Sequence, residues 1–380
     1  MNPDLGFPMN PFELKIELTR ACNLRCSFCY LGDTALWQRA EYMPEHEVLR
    51  WIDWAVENNI PAVRFTGGEA TLHPKIKLFC NYAYLQKRWI ILNTNAMAEA
   101  RLYDELLAHD LRVSVPSLDA TWLDEITGGT NVLQKKLALI ERTLAAGKRH
   151  VCMLTVMTPE LIGKLEDFAK LLQALPGVMW VPLRYEASPT NPRPLTRAQM
   201  QALAEEMTDL MDRYPDHVKG ICIAAPFCAV TPTSLGARVF GGRIRDCGPY
   251  AALNVNFAGN LAACFGVCEL FREGTLDDVK QSPTLHACCS LDALPQECQA
   301  CEYVQRCGGG CRKPAGLVAH EGKYVDYLAG FVNPSSEYAG VSNPTRLNDP
   351  PLPLPGGDSR NTWNTDSPPG RGKGWVAAEI

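Results

Sequence analysis

The chain is 380 residues long, enough for one large domain and a smaller one. With 46% hydrophobic and 21% charged residues it has an ordinary globular composition, and its net charge of −5 offers no basic face for nucleic acid. No apolar run approaches the roughly 18 residues of a membrane span, and the N-terminus MNPDLGFPMNPFELKIELT lacks the basic and apolar regions of a secretory signal, so a cytoplasmic protein with no membrane and no nucleic-acid partner is expected.

From residue 12 onward, short β-branched runs alternate with amphipathic stretches. Strands are expected at 12–18 (FELKIEL), 62–66 (AVRFT), 89–93 (WIILN), 112–115 (RVSV), 150–156 (HVCMLTV) and 178–183 (VMWVPL). Helical periodicity covers 45–58, 75–87, 98–108, 132–146 and 162–174, and one more amphipathic helix at 196–214 is entered by the capping candidate Thr196. Strands alternating with helices argue for an α/β fold around a parallel sheet. Six βα units fall short of a closed eight-stranded barrel, so an open, partial (βα)6 barrel is expected.

Beyond residue 214 the regular pattern stops. The segment from Cys222 to Cys311 is rich in Cys and Gly, and such a segment draws much of its stability from metal. Residues 331–380 are nearly half Pro, Gly, Ser and Asn with no periodicity, which reads as a disordered tail. No internal repeat is visible.

The chain has 16 cysteines, and in a reducing compartment such a chain binds metal more readily than it forms disulfides. Most of them fall in two fields. The first is Cys22-x3-Cys26-x2-Cys29, in the loop after the first strand. Three thiolates at this spacing can ligate three irons of a [4Fe–4S] cluster and leave the fourth iron open, as a catalytic metal requires. The plainer alternatives are a zinc knuckle lacking one ligand, or chance. Cys80, within a helix, and Cys152, within a strand, read as core residues.

CNLRCSFCY after the first strand, with TGGEA at 66–70 after the second, resembles the radical S-adenosylmethionine (radical SAM) superfamily over roughly residues 12–183. The resemblance implies that the open iron chelates the amino and carboxylate groups of the methionine moiety. Gly67, Gly68 and Glu69 would contact the amino group, where glycines permit close backbone approach and a carboxylate suits an ammonium. Phe28 would flank the adenine, with core packing as the alternative, and Asn93 and Asn95 would bind the ribose hydroxyls, with a turn-closing role as theirs.

The second field is Cys247-x11-Gly259-x4-Cys264 followed by Cys298-x2-Cys301-x5-Cys307-x3-Cys311. Together these resemble the SPASM extension, which carries two auxiliary [4Fe–4S] clusters; a zinc ribbon is the alternative for the four-cysteine run. The resemblance implies Cys247, Cys264 and Cys311 as ligands of the first auxiliary cluster, with Cys228, in preference to Cys222, as its upstream ligand. Cys298, Cys301 and Cys307 would hold the second. The pattern expects one more cysteine after Cys311, and the chain has none. The second cluster then has an open iron, a ligand such as an Asp, or a cysteine from elsewhere, with Cys268, Cys288 and Cys289 as candidates.

The implied organisation is a radical SAM core at 12–215, a small cysteine-rich auxiliary domain at 216–330, and the tail. The implied activity is reductive cleavage of S-adenosylmethionine to a 5′-deoxyadenosyl radical, followed by oxidative modification, by crosslinking, of a ribosomally made precursor peptide. Sulfatase maturation is the first alternative, weakened because Phe265 stands where that family has an Asp after the residue equivalent to Cys264. A small-molecule dehydrogenase or cofactor-biosynthesis enzyme is the second, and a non-catalytic iron–sulfur electron carrier the third, though a carrier would not need TGGEA. Implied partners are the peptide or protein substrate and an electron donor such as flavodoxin or ferredoxin. With only about 11 residues ahead of the first strand, a leader peptide would bind the auxiliary domain or a separate protein.

Overall fold

The computed structural model describes residues 11–29, 41–147, 149–187, 194–222, 225–241, 252–264, 267–271, 274–281, 290–311, 317–321 and 323–332. Six strands, β1 (Glu13–Glu17), β2 (Ala62–Thr66), β3 (Trp89–Thr94), β4 (Asp110–Ser114), β5 (His150–Met157) and β6 (Val178–Arg184), pair in parallel and in chain order. Between them run α1 (Glu45–Glu57), α2 (Ile76–Leu85), α3 (Ala100–Glu105), α4 (Ala120–Thr127), α5 (Val132–Ala146) and α6 (Leu165–Ala174), and α7 (Arg197–Arg213) follows β6. The strands are buried on both faces, as parallel sheets covered by their crossover helices must be. The α/β partial barrel expected from the pattern is the observed fold, and α7 begins on the Thr196–Gln199 capping box.

Among the described residues the sheet has nine strands in the order β6-β5-β4-β3-β2-β1-β7-β8-β9. The last three come from the cysteine-rich segment: β7 (Ala252–Val255) pairs in parallel with β1, and β8 (Leu261–Cys264) and β9 (Val267–Phe271) continue antiparallel. One continuous sheet thus crosses the boundary expected near residue 215. The described segment also holds a helix α8 (Thr233–Val239), three short helices at Leu276–Gln281, Gln296–Gln299 and Val304–Cys307, and a hairpin of β10 (Leu317–His320) and β11 (Lys323–Asp326). Phe331 and Val332 pack on the core, so the expected tail begins no earlier than residue 333; residues 333–380 lie outside the described residues. No helix among the described residues is long and apolar enough to cross a membrane.

Two polar features sit inside this apolar frame. At the N-terminal ends of the strands, Glu13 binds Arg64 at 2.6 Å and Asp110 binds Arg112 at 2.9 Å. Cys152 belongs to this layer, its thiol 3.4 Å from the Asp110 carboxylate, so it is buried beside charges and not in a purely apolar core. The second feature is a fully buried bidentate pair, with Arg184 at the end of β6 donating to both carboxylate oxygens of Asp326 at 2.6 and 3.0 Å. The same carboxylate accepts from the amides of Cys311 (2.7 Å) and Leu328 (3.0 Å), tying the barrel to the end of the second cysteine field.

Removing one partner of a buried pair strands the other charge at a cost of about 3–5 kcal/mol. Asp326→Ala is therefore expected to lose about that much stability in urea denaturation. The double variant Arg184→Met with Asp326→Leu is expected to recover part of it, because an apolar pair leaves nothing uncompensated.

Candidate metal centre

The loop after β1 is held from two sides. On one side, the turn after β2 runs along it like an added strand, Gly68 N–H donating to the Thr19 carbonyl (2.7 Å) and Glu69 N–H to the Ala21 carbonyl (2.8 Å). The approach is closer than any side chain allows. A Cβ on Gly68 would lie 2.3 Å from the Ala21 carbonyl oxygen; one on Gly67, whose φ is +141°, would lie 2.4 Å from that of Thr19. On the other side, the end of α4 offers its last carbonyls, which a helix cannot use internally. Arg25 N–H donates to Thr127 at 2.7 Å and Ser27 N–H to Ile126 at 3.0 Å. Leu24, between the first two cysteines, seats the loop in a small apolar cluster with Leu123 and Val132.

These supports bring Cys22, Cys26 and Cys29 onto one partly exposed turn, closed by Cys29 N–H donating to the Cys26 carbonyl (3.1 Å). Burial, with Cys29 and Cys22 as neighbours, pushes the Cys26 thiol up to about 12. Three such thiols become thiolates together only around a cation, which is the donor chemistry of an iron–sulfur centre. The three residues fit the [4Fe–4S] cluster that the sequence implies.

The Glu69 carboxylate, nearly inaccessible, is anchored by four donors: Thr71 N–H (3.1 Å), Thr71 Oγ1 (2.6 Å) and Thr94 Oγ1 (2.9 Å) at Oε1, and Asn95 N–H (2.6 Å) at Oε2. Oε2 thus keeps acceptor capacity for one further donor. Asn95 turns its side-chain amide to the cysteine loop, donating to Asn23 Oδ1 at 2.7 Å and reaching Cys22 Sγ at 3.7 Å, while its Oδ1 accepts from Met97 N–H. Asn93, one turn of the strand earlier, has a buried Oδ1 with no donor among the described residues, as an acceptor awaiting a ligand hydroxyl would have. Phe28 is half-buried on the cysteine turn.

Lys136 on α5 was not foreseen. Its ammonium is buried and donates to the Asn95 carbonyl at 2.7 Å. Burial pulls it down to about 8, against the opposing attraction of Cys26, Glu69 and Cys22. Helix α4 was not foreseen either, although Asp119 at its N-cap and Gly128 in left-handed conformation at its end are the sequence signals for it.

In the second field, Cys298, Cys301 and Cys307 line one cavity. Cys228, expected with Cys247, Cys264 and Cys311, lines that same cavity. Cys311 is not among its lining residues; its amide is held by Asp326. Cys222 lies elsewhere, bridged by its backbone to the end of β6. Cys247, Cys288 and Cys289, and the side chains of Cys264 and Cys268, lie outside what the structure describes.

Residues 16–172 match the family model of the radical SAM superfamily. The chain carries a radical SAM domain. The GTP 3′,8-cyclase of Synechocystis is 29% identical over 164 residues, 42% of this chain and 50% of that protein. The chain thus spans about half the length of the first curated relatives it matches. Similarity reaches beyond the radical SAM domain in the mycofactocin maturase MftC of Mycobacterium ulcerans, 23% identical over 320 residues, 79% of this chain and 83% of that one. Among solved structures, Streptococcus suis SuiB bound to S-adenosylmethionine superposes with a TM-score of 0.63 at 18% identity, covering 80% of this chain and 73% of SuiB; SuiB is also solved bound to its precursor peptide SuiA.

Because the radical SAM domain closes on itself through the Gly68 contact, Gly68→Ala is expected to cost at least about 2 kcal/mol, the scale of overpacking against a backbone that cannot move aside. Urea denaturation reads that loss, and iron content after anaerobic reconstitution falls with it.

Proposed function

We propose that this chain is an enzyme that cleaves S-adenosylmethionine reductively and uses the resulting radical to crosslink side chains of a ribosomally made precursor peptide. The observation that carries the reading is the three-cysteine turn, whose three thiols would leave one iron of a cluster open, packed against the Gly67–Glu69 turn at the carboxyl ends of the strands, where ligands of βα folds sit. A [4Fe–4S] cluster held there would supply the electron that splits the sulfonium, and the 5′-deoxyadenosyl group would take a hydrogen atom from the substrate.

The chain's own residues bind and orient. Cys22, Cys26 and Cys29 hold three irons. Glu69, fixed by Thr71, Thr94 and Asn95, offers the remaining capacity of Oε2 to the methionine ammonium. Asn93 Oδ1 accepts from a ribose hydroxyl, and Phe28 flanks the adenine. Asn95 acts on the loop, holding Asn23 and reaching the Cys22 sulfur. Two auxiliary [4Fe–4S] clusters, one on Cys247, Cys264 and Cys311 and one on Cys298, Cys301 and Cys307, would tune and relay electrons. A flavodoxin or ferredoxin would supply the electron, and the auxiliary domain (216–330) or a separate protein would bind a leader peptide.

The peptide reading is favoured over cofactor biosynthesis by extent. Similarity to the GTP 3′,8-cyclase covers 42% of this chain, whereas similarity to the maturase MftC covers 79% and so takes in part of the cysteine-rich segment.

Reconstituted enzyme with dithionite and S-adenosylmethionine is expected to release 5′-deoxyadenosine, and replacing Cys22, Cys26 and Cys29 together by Ala is expected to abolish it; product persisting in that variant would refute the cluster assignment. With a short peptide encoded beside the enzyme, closure of one crosslink removes two hydrogens: one to the 5′-deoxyadenosyl group, one as a proton and an electron. Tandem mass spectrometry is expected to find a loss of about 2 Da with fragmentation blocked between two residues, as cofactor-driven oxidation requires. An unchanged mass with deuterium taken from solvent would instead mean epimerisation.

A further inference from the structure

The turn Phe227–Ala229 carries Cys228 into the cavity lined by Cys298, Cys301 and Cys307, a space of about 80 Å³ walled in part by Phe227, Val304 and Phe331.

Backbone amides are aimed at these sulfurs. Gly330 N–H donates to Cys228 Sγ at 3.3 Å, and the Cys307 sulfur accepts from the amides of Phe227, Gly309 and Gly310. Gly309 and Gly310 take left-handed φ values of +75° and +80°, a conformation that turns successive N–H groups into a concavity for negative charge, as at many Fe–S sites. Gly330 is constrained as well, since a Cβ there would lie 2.4 Å from the Cys228 carbonyl oxygen. The chain after β11 passes this close to Cys228 only because residue 330 has no side chain.

The spread of the sulfurs is wider than a single tetrahedral ion sets. Zinc–thiolate bonds of about 2.3 Å would place four sulfurs about 3.8 Å apart, whereas among the described residues no three of these sulfurs lie within 4.8 Å of one another.

We infer that Cys228 is the fourth ligand of the second auxiliary centre, completing with Cys298, Cys301 and Cys307 a four-thiolate set for a [4Fe–4S] cluster. The inference rests on the auxiliary-cluster reading given above. It supplies from upstream in the chain the ligand that is missing after Cys311, and it leaves the first auxiliary cluster to find its upstream ligand elsewhere. A four-thiolate set has no open iron, so this centre binds no substrate atom, and open coordination stays at the Cys22–Cys29 turn.

The test uses the full chain, reconstituted anaerobically, with Cys22, Cys26 and Cys29 replaced by Ala so that only auxiliary centres remain. Adding Cys228→Ser is expected to remove about four irons, or to give a three-iron EPR signal on oxidation. Adding Cys80→Ala instead, in helix α2 and outside both cysteine fields, is expected to leave iron content and spectrum unchanged. In unsubstituted enzyme, where no variant has to fold, Cys228 is expected to resist iodoacetamide while the clusters are loaded and to react once a chelator has removed them, as read by peptide mapping. Cys228→Ser with the iron content and spectrum of its parent, alkylation of Cys228 in the loaded enzyme, or stoichiometric zinc in place of iron would each overturn the inference. A parent variant that holds no iron would overturn the auxiliary-cluster reading itself. None of these readouts involves S-adenosylmethionine or peptide, so their failure is distinct from failure of the maturase reading.

Discussion

Much of the site depends on one backbone contact, the run of the Gly67–Glu69 turn along Thr19–Ala21. Two glycines make it sterically possible, and two N–H···O bonds fix its register. The next residue, Glu69, extends the contact in a third direction by gathering Thr71, Thr94 and the Asn95 amide onto one carboxylate. The ends of β1, β2 and β3 are thereby locked together before any cofactor arrives. The proposed function would need such prior rigidity, because small displacements of reacting groups carry large rate penalties.

The cysteine loop is equally a product of what lies across from it. Helix α4 ends on Gly128, and the carbonyls it leaves unpaired are taken by Arg25 and Ser27 of the loop. Helix termini usually satisfy such groups with water or a local turn; here they are spent on positioning Cys26. Lys136 adds a buried ammonium close to the same turn, hydrogen-bonded to the Asn95 carbonyl and near the Glu69 carboxylate and the thiols of Cys22 and Cys26. It lies close enough to act on any cluster seated on the turn through the field of its charge.

The second cysteine field is attached to the barrel at several points, among them the Trp54 and Asn58 side chains of α1, which bond Gly274 and the Leu276 amide. Strand β7 extends the sheet beside β1, and the Phe257 amide at the turn after it donates to Glu17 at 3.0 Å, next to the first cysteine loop. The Arg184–Asp326 pair anchors the other end, where Asp326 also holds the Cys311 amide. A long segment with few regular elements is in this way fastened by a backbone ladder and a buried charge pair, in addition to the apolar side chains it adds to the core.

Local chemistry was legible in the sequence. Strand periodicity placed β1 to β6 within a residue or two at most ends, and helix α5 at its observed bounds. The Cys22-x3-Cys26-x2-Cys29 spacing and the Gly-Gly-Glu turn pointed to the metal centre, because ligand spacing and glycine are properties of a few adjacent residues. Partners that meet only after folding were not legible. The eight-residue helix α4 was too short for its periodicity to stand out, and Lys136 on its own reads as one more charge on an amphipathic helix. Asn93 and Asn95 were alike in sequence, yet the pleat of the strand and the turn after it leave Asn93 with a free acceptor and spend Asn95 on the cysteine loop. Cys228 could not be placed by a linear reading, since spacing says nothing about a thiol brought in from far upstream. The tertiary structure alone brings its turn, Phe227–Ala229, to the cavity of Cys298, Cys301 and Cys307, where Gly236 and Gly330 leave room for the backbone of Phe227 and Cys228.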